Sequence, residues 1–296
     1  MEAVNFKPMR SALYLPASNV RAIEKVRTLA ADAVIFDLED AVAPERKLDA
    51  RRNLEAAFQA GAPARGLNVI RVNAIDSPEL QPDLETVAKC RPQAVLLPKV
   101  SSPEDLISVR RAMGTAPGPG PVLWCMIETP LGLSRVAEIA AAAGHGTSPV
   151  QCLVVGTNDI ARETGVSVAN GRRYLVPWLM NVVLAARTNG LSVLDGVWNA
   201  FQDMVGYQDE AAQGRDMGFD GKTLIHPSQI EIANQHFAPS AEAVEEARAI
   251  VVAFADPANE GRAVIDMNGR MVELLHLQMA RRTLHIDAAI RAATAR

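Results

Sequence analysis

The chain has only three cysteines, Cys90, Cys125 and Cys152, an odd number without the paired spacing of a zinc or disulfide framework. Two of them stand inside apolar runs, so all three are expected as buried free thiols rather than redox groups. Long hydrophobic runs are also lacking. None reaches the roughly 18 residues of a membrane-spanning helix, and residues 1–10 carry no apolar signal core, so a cytoplasmic protein without a membrane partner is expected. Nor is there an excess of charge of one sign. Against 34 Asp and Glu stand 30 Lys and Arg, for a formal charge of −4, and the basic residues are spread along the chain, which leaves no footprint for nucleic acid. A Gly-rich phosphate turn is missing as well. Where an open dinucleotide-binding sheet would carry one, after the first apolar run, this chain has Leu13-Tyr14-Leu15-Pro16-Ala17-Ser18.

What is present is a chain of 296 residues, 49% hydrophobic and 22% charged, which excludes disorder as a description of the whole and suffices for one large barrel or two smaller domains. Short β-branched apolar runs at 12–15, 33–38, 69–72, 94–97, 122–127, 152–155, 191–194 and 222–225 alternate with longer helical patterns. That alternation is the signature of strand-then-helix units around a parallel sheet. Eight strands, starting roughly 20 to 40 residues apart, suit a closed barrel of about 250 residues. The sequence therefore predicts an α/β fold, a TIM (β/α)8 barrel over residues 1–238. Ser18 reads as the N-cap of a helix over 19–30, and Ser102 with Pro103 as the start of a helix over 103–113. Residues 62–65 and 114–121 read as loops. Beyond the barrel, a helix over 242–254, a turn-rich stretch over 256–270 and a final helix over 271–293 make 239–296 a C-terminal helical extension and a candidate lid.

In such a barrel, ligands meet the C-terminal ends of the strands. Two exits, Met126-Ile127-Glu128-Thr129-Pro130 and Val155-Gly156-Thr157-Asn158-Asp159, each run an apolar stretch into one carboxylate where a turn begins, with no thiol or imidazole beside it. Magnesium prefers oxygen ligands and keeps several waters, so one or two carboxylates are what a Mg²⁺ site needs. Two acids meeting in one mouth also repel unless a cation or a proton lies between them. Glu128 and Asp159 are thus the candidate metal ligands. The other exits present Asp37-Leu38-Glu39-Asp40, Arg71, Asn73, Lys99, Asp195 and His226. Arg71 stands in an apolar strand beside Val69 and Val72, so its guanidinium is expected on an acid partner or a substrate anion. Asp40, Asp195 and His226 read first as helix caps. Lys99 reads equally well as a neutraliser of the carboxylates or as a solvated rim residue.

Several strings in one order carry a more specific signal. Arg10-Ser11 with Pro16-Ala17-Ser18, Phe36-Asp37-Leu38-Glu39-Asp40-Ala41-Val42, Arg71-Val72-Asn73, Leu97-Pro98-Lys99, Ile127-Glu128-Thr129-Pro130-Leu131-Gly132, Gly156-Thr157-Asn158-Asp159, and Gly218-Phe219-Asp220-Gly221-Lys222 with Ile225-His226-Pro227 span nearly the whole chain. Together they resemble the citrate lyase β-subunit family of the HpcH/HpaI aldolase superfamily. The resemblance implies a Mg²⁺-dependent TIM barrel that cleaves or forms a carbon–carbon bond in malyl, citramalyl or citryl thioesters, carried by coenzyme A or an acyl carrier protein. It places the metal on Glu128 and Asp159 and the substrate on Arg71, with Asp37 and Glu39 nearby. It also implies a homotrimer or hexamer in which a C-terminal segment reaches a neighbour's barrel. The turn of that segment looks like residues 264–272, where coenzyme A lyases and hydrolases of the family commonly have Asp before the glycine. This chain has Asn268, which cannot exchange a proton near neutral pH, so the general base is open among Asp37, Glu39 and a tail residue such as Asp266. Thioester hydrolysis, a non-catalytic thioester-binding or assembly subunit, and an aldolase of free acids are the alternatives.

Overall fold

A computed structural model describes residues 8–114, 120–144, 149–267 and 269–294. Eight parallel strands close into a barrel: β1 Ser11–Pro16, β2 Ala33–Asp37, β3 Leu67–Arg71, β4 Ala94–Leu97, β5 Val122–Ile127, β6 Val150–Val155, β7 Ser192–Asp195 and β8 Gly221–Leu224. Each strand pairs with the next, and Ser11 opposite Lys222 closes the ring. All eight predicted strands are present, two with the predicted ends and six with ends moved by one or two residues. Met9–Phe237 forms one compact unit, and a second begins at Ala238.

The barrel has two apolar layers, which is why its strands read as nearly continuous hydrophobic runs. Ala12, Ala33, Ile35, Val69, Leu96, Trp124, Val154 and Leu194 fill the interior. Leu13, Val34, Phe36, Ile70, Val95, Cys125, Leu153 and Val193 pack outward against the helices. Side chains alternate along a strand, so the inner row of β2 continues from Ala33 and Ile35 to Asp37, and that of β3 from Leu67 and Val69 to Arg71. Polar residues thereby end two inward rows at the same height, because Asp37 and Arg71 are register partners. Cys90, Cys125 and Cys152 are free and buried, and burial pushes the thiols of Cys90 and Cys125 up to about 12.

Ser102 and Pro103 start the predicted helix with a capping box completed by Asp105. The first helix differs from expectation. It is capped by Asn19 instead of Ser18, runs only over Val20–Lys25, and tightens into a 3-10 turn at Val26–Thr28. The second unit contains a helix, Ala241–Ala255, a hairpin of β9 Val264–Met267 and β10 Arg270–Glu273, and a helix, Leu274–Thr294, around Ala247, Ile250, Ile265, Val272, Leu277 and Ala280. The hairpin corrects the turn-rich reading of 256–270. It also delays the final helix to Leu274, because residues 271–273 are spent on cross-strand pairing. Asn268 lies outside the described residues. Among those residues no helix is long and apolar enough to cross a membrane.

Candidate active site at the mouth of the barrel

The deepest polar layer is a buried ion pair. Arg71 donates from Nε to Asp37 Oδ1 at 2.8 Å and from Nη2 to Oδ2 at 2.6 Å, the two-pronged geometry that suits a guanidinium to a carboxylate. Asp37 also accepts the main-chain N–H groups of Glu39 and Ala41. Its oxygens are thus fully engaged, which fits an orienting anion better than a proton acceptor. The guanidinium lies 4.8 Å from the centre of the Tyr14 ring, and its Nη1 is 2.9 Å from Glu39 Oε2. Arg71 therefore has the acid partner that its place in an apolar strand demanded.

Glu39 continues the chain of charges. Its Oε1 accepts from Lys99 Nζ at 2.6 Å, so Lys99 neutralises an acid of the mouth. Asp40, more than half exposed, lies 3.8 Å from the same ammonium. Burial pushes the Glu39 carboxyl up, while Arg71 and Lys99 oppose the shift. The loop carrying Glu39 is pinned from behind: Lys47 Nζ donates to the carbonyls of Leu38 and Glu39 and to Asn73 Oδ1. Asn73 in turn donates to Leu38 O and, twice, to Asp83, which is held by Arg51. Asn73 belongs to this support and is 5% exposed.

Glu128 and Asp159 complete the layer. Glu128 is 1% exposed; its Oε1 accepts the Lys99 main-chain N–H at 2.9 Å, while Oε2, also buried, has no hydrogen-bond partner. Burial pushes the Glu128 carboxyl up to about 8, and the charges of Asp159 and then Glu39 add to the shift, against Arg71 and the Lys99 amide. Asp159, in the first turn of the helix Thr157–Thr164, has a buried Oδ1 that lies 2.6 Å from Arg162, an exposed side chain one turn on. The site is thus acidic: Asp37, Glu39, Glu128 and Asp159 face buried Arg71, half-buried Lys99 and exposed Arg162. A divalent cation would cancel that excess and give the orphaned Glu128 oxygen a ligand, so the residues present fit Mg²⁺. No cluster of three or more His, Cys, Asp or Glu suited to a metal occurs among the described residues.

Two of the predicted exit residues serve elsewhere. Asp195 follows inward-facing Leu194 and so points to the outer wall, where it pairs with Arg172 at 2.6 and 2.8 Å and with Lys222 at 2.9 Å; Lys222 also reaches Glu210 at 2.7 Å. It is structural, as expected, but as the anion of a buried cluster and not as a cap. His226 does cap the short 3-10 turn at Pro227–Gln229, accepting the Ser228 N–H, and its ring stacks on Phe201. Reading by residue missed Lys47, Asp83, Lys222 and Gly156. Lys222 lies in a buried strand, and Asp83 shares the apolar stripe of Leu80, Leu84 and Val87, the same signal that singled out Arg71.

Residues 10–227 match the HpcH/HpaI aldolase/citrate lyase family. The chain is 45% identical to a (3S)-malyl-CoA thioesterase of Cereibacter sphaeroides strain KD131, covering 96% of both chains. It is 33% identical to citrate lyase subunit beta of Escherichia coli K12, over 89% of this chain and 88% of that one. Among solved structures, CitE of Mycobacterium tuberculosis in complex with magnesium, acetoacetate and coenzyme A matches with a TM-score of 0.74 at 28% identity, covering 96% of this chain and all of the other.

Proposed function

We propose, from the premise that this chain belongs to the HpcH/HpaI aldolase/citrate lyase family, that it is an enzyme acting on a malyl-type β-hydroxyacyl thioester of coenzyme A. The proposed reaction is Mg²⁺-dependent cleavage or formation of the bond between the second and third carbons, giving an acetyl-type thioester and a 2-keto acid. The observation that carries this reading is the buried, unpartnered Glu128 Oε2 beside the charge of Asp159. Glu128 and Asp159 would hold the ion, whose Lewis acidity, when bound, lowers the pKa of a substrate hydroxyl.

The remaining roles fall to side chains of the mouth. Glu39 takes the hydroxyl proton in this reading: each Asp37 oxygen already accepts two hydrogen bonds, whereas each Glu39 oxygen has one cationic neighbour, Lys99 or Arg71, and burial pushes its carboxyl up. As the carbon–carbon bond breaks, its electron pair stays with the departing acyl α-carbon and spreads to the thioester oxygen, and that carbon then takes up one proton, equivalent to the one lost by the hydroxyl, to complete the acetyl-type thioester. Arg71, locked by Asp37, supplies a cation that need not reorganise as that charge develops. Tyr14 and Met126 bound the guanidinium on its apolar sides.

Hydrolysis of the same thioester is a second reading, favoured by the 45% identity to a malyl-CoA thioesterase. One experiment separates the two. Purified protein is given (3S)-malyl-, citramalyl- and citryl-CoA with Mg²⁺ or with EDTA, and free thiol and 2-keto acid are followed separately. Keto acid without free thiol is expected of the lyase, and free thiol without keto acid of the hydrolase. Turnover of none of the three, or turnover undiminished in EDTA, would overturn the proposal.

A further inference from the structure

Lys99 has a backbone conformation that a side-chain-bearing residue seldom adopts. Its φ is +55°, in the left-handed region, where the β-carbon meets a steric penalty that glycine avoids. Such strain persists only where the surroundings over-determine it. Here they do: the Val100 N–H donates to Met126 O at 3.2 Å, and Ser101 Oγ donates to the Lys99 carbonyl at 3.0 Å while bonding Thr129 Oγ1 at 2.8 Å. The turn between β4 and the next helix is thereby fastened to β5, the strand that delivers Glu128.

The strained turn sends the two ends of one residue to two different acids. Its main-chain N–H meets Glu128 Oε1 at 2.9 Å, and its ammonium meets Glu39 Oε1 at 2.6 Å. A glycine would adopt this conformation more readily and give the same N–H. That a lysine stands here instead points to a need for the ammonium.

On the reading of Glu128 and Asp159 as the cation site, we infer that Lys99 is the positioning residue that sets the cation-binding acid and the proton-handling acid in register, the former through its N–H and the latter through its ammonium. The two functions separate by substitution. Lys99→Gly keeps the N–H and the turn but loses the ammonium, so Mn²⁺ affinity, measured by calorimetry or electron paramagnetic resonance, stays within about threefold of wild type. Its kcat falls about ten- to a hundredfold with KM little changed, the scale of a misoriented reacting group. Lys99→Arg, with the charge restored, stays within about fivefold of wild type. Lys99→Pro loses the N–H and cannot reach positive φ, so Mn²⁺ affinity falls at least tenfold. If that variant does not fold by circular dichroism, hydrogen exchange of the Lys99 amide carries the same test, its protection dropping at least tenfold in Glu128→Ala.

Wild-type turnover in Lys99→Gly would overturn the role of the ammonium. Unchanged Mn²⁺ affinity in folded Lys99→Pro, or an unchanged amide exchange rate, would overturn the role of the N–H. A wild-type protein that binds no Mn²⁺ would instead remove the cation site on which the inference rests.

Discussion

Glu128 rests against Gly156, the residue that follows β6, so closely that a β-carbon on the glycine would overlap both Oε2 and Cβ of the glutamate. Gly156 has an ordinary negative φ, so space and not backbone freedom is what the position requires. On the side of Glu128 that faces β6, room for the carboxylate is kept by the absence of a side chain.

Gly156→Ala is therefore expected to displace the Glu128 carboxylate and the Met126 methyl, at a cost of about 1 to 3 kcal/mol in stability. Cation affinity should fall at least tenfold, the scale on which metal sites lose binding when their ligands are misoriented. Denaturant unfolding and Mn²⁺ titration of the same preparation check both. A variant as stable and as tightly binding as wild type would show that Glu128 can move without consequence.

Below pH 8 the cation-free protein holds a proton on Glu128, whose carboxyl stands at about 8 against an ordinary 4.5. A divalent ion must expel that proton, so affinity should climb by up to tenfold per pH unit towards pH 8, level off above it, and release up to one proton per ion. The stability contribution of the group is full below about pH 4.5 and is lost as pH rises through 8, because the unfolded chain gives up the proton first. Melting temperatures in EDTA and in excess Mg²⁺ should thus draw apart as pH rises from 5 to 8. Parallel curves would contradict the assignment.

Glu128→Gln removes a buried charge while leaving an oxygen for the Lys99 N–H. In EDTA at pH 8 and above it should melt higher than wild type, by the equivalent of about 1 to 3 kcal/mol, and show no turnover. The same comparison at pH 5, where wild type is protonated, should show little difference. Thermal denaturation at the two pH values, beside a Mg²⁺-dependent assay, measures this.

On the outer wall, Asp195 is 0% exposed yet held ionised: burial pushes its carboxyl up, but Lys222 and Arg172 together outweigh burial and keep it below the usual carboxylate value. Asp195→Asn leaves two buried cations short of an anion and should cost about 3 to 5 kcal/mol. The pair's contribution is present above the ordinary carboxylate pKa and disappears as pH falls through the depressed one. Cation affinity should be unchanged at a temperature where the variant is folded. A change in affinity without loss of stability would place Asp195 in the site after all.

Eight strands were legible because a parallel barrel buries both faces of every strand, which leaves short β-branched apolar runs at regular intervals. The hairpin Val264–Met267 with Arg270–Glu273 was not legible: its strands are four residues each, with Asp266, Arg270 and Glu273 breaking the apolar pattern. The early end of the first helix at Lys25 was equally hidden, since residues up to Ala30 keep a helical composition.

By itself the sequence determined which acids and bases leave the strands, because apolar runs must stop where the barrel opens. It singled out Arg71 as a charge inside an apolar strand, and Glu128 and Asp159 as carboxylates where apolar strands run into turns. Only the tertiary structure decided their partners, since hydrogen bonds and charges act through space. Asp37 meets Arg71 across 34 positions and Glu39 meets Lys99 across 60. The fold also decided sides: alternation along β7 turns Asp195 out to Lys222 and Arg172, while the same alternation along β2 turns Asp37 in. A period of two fixes that two neighbours face opposite ways, and the closure of the ring fixes which of them faces the mouth.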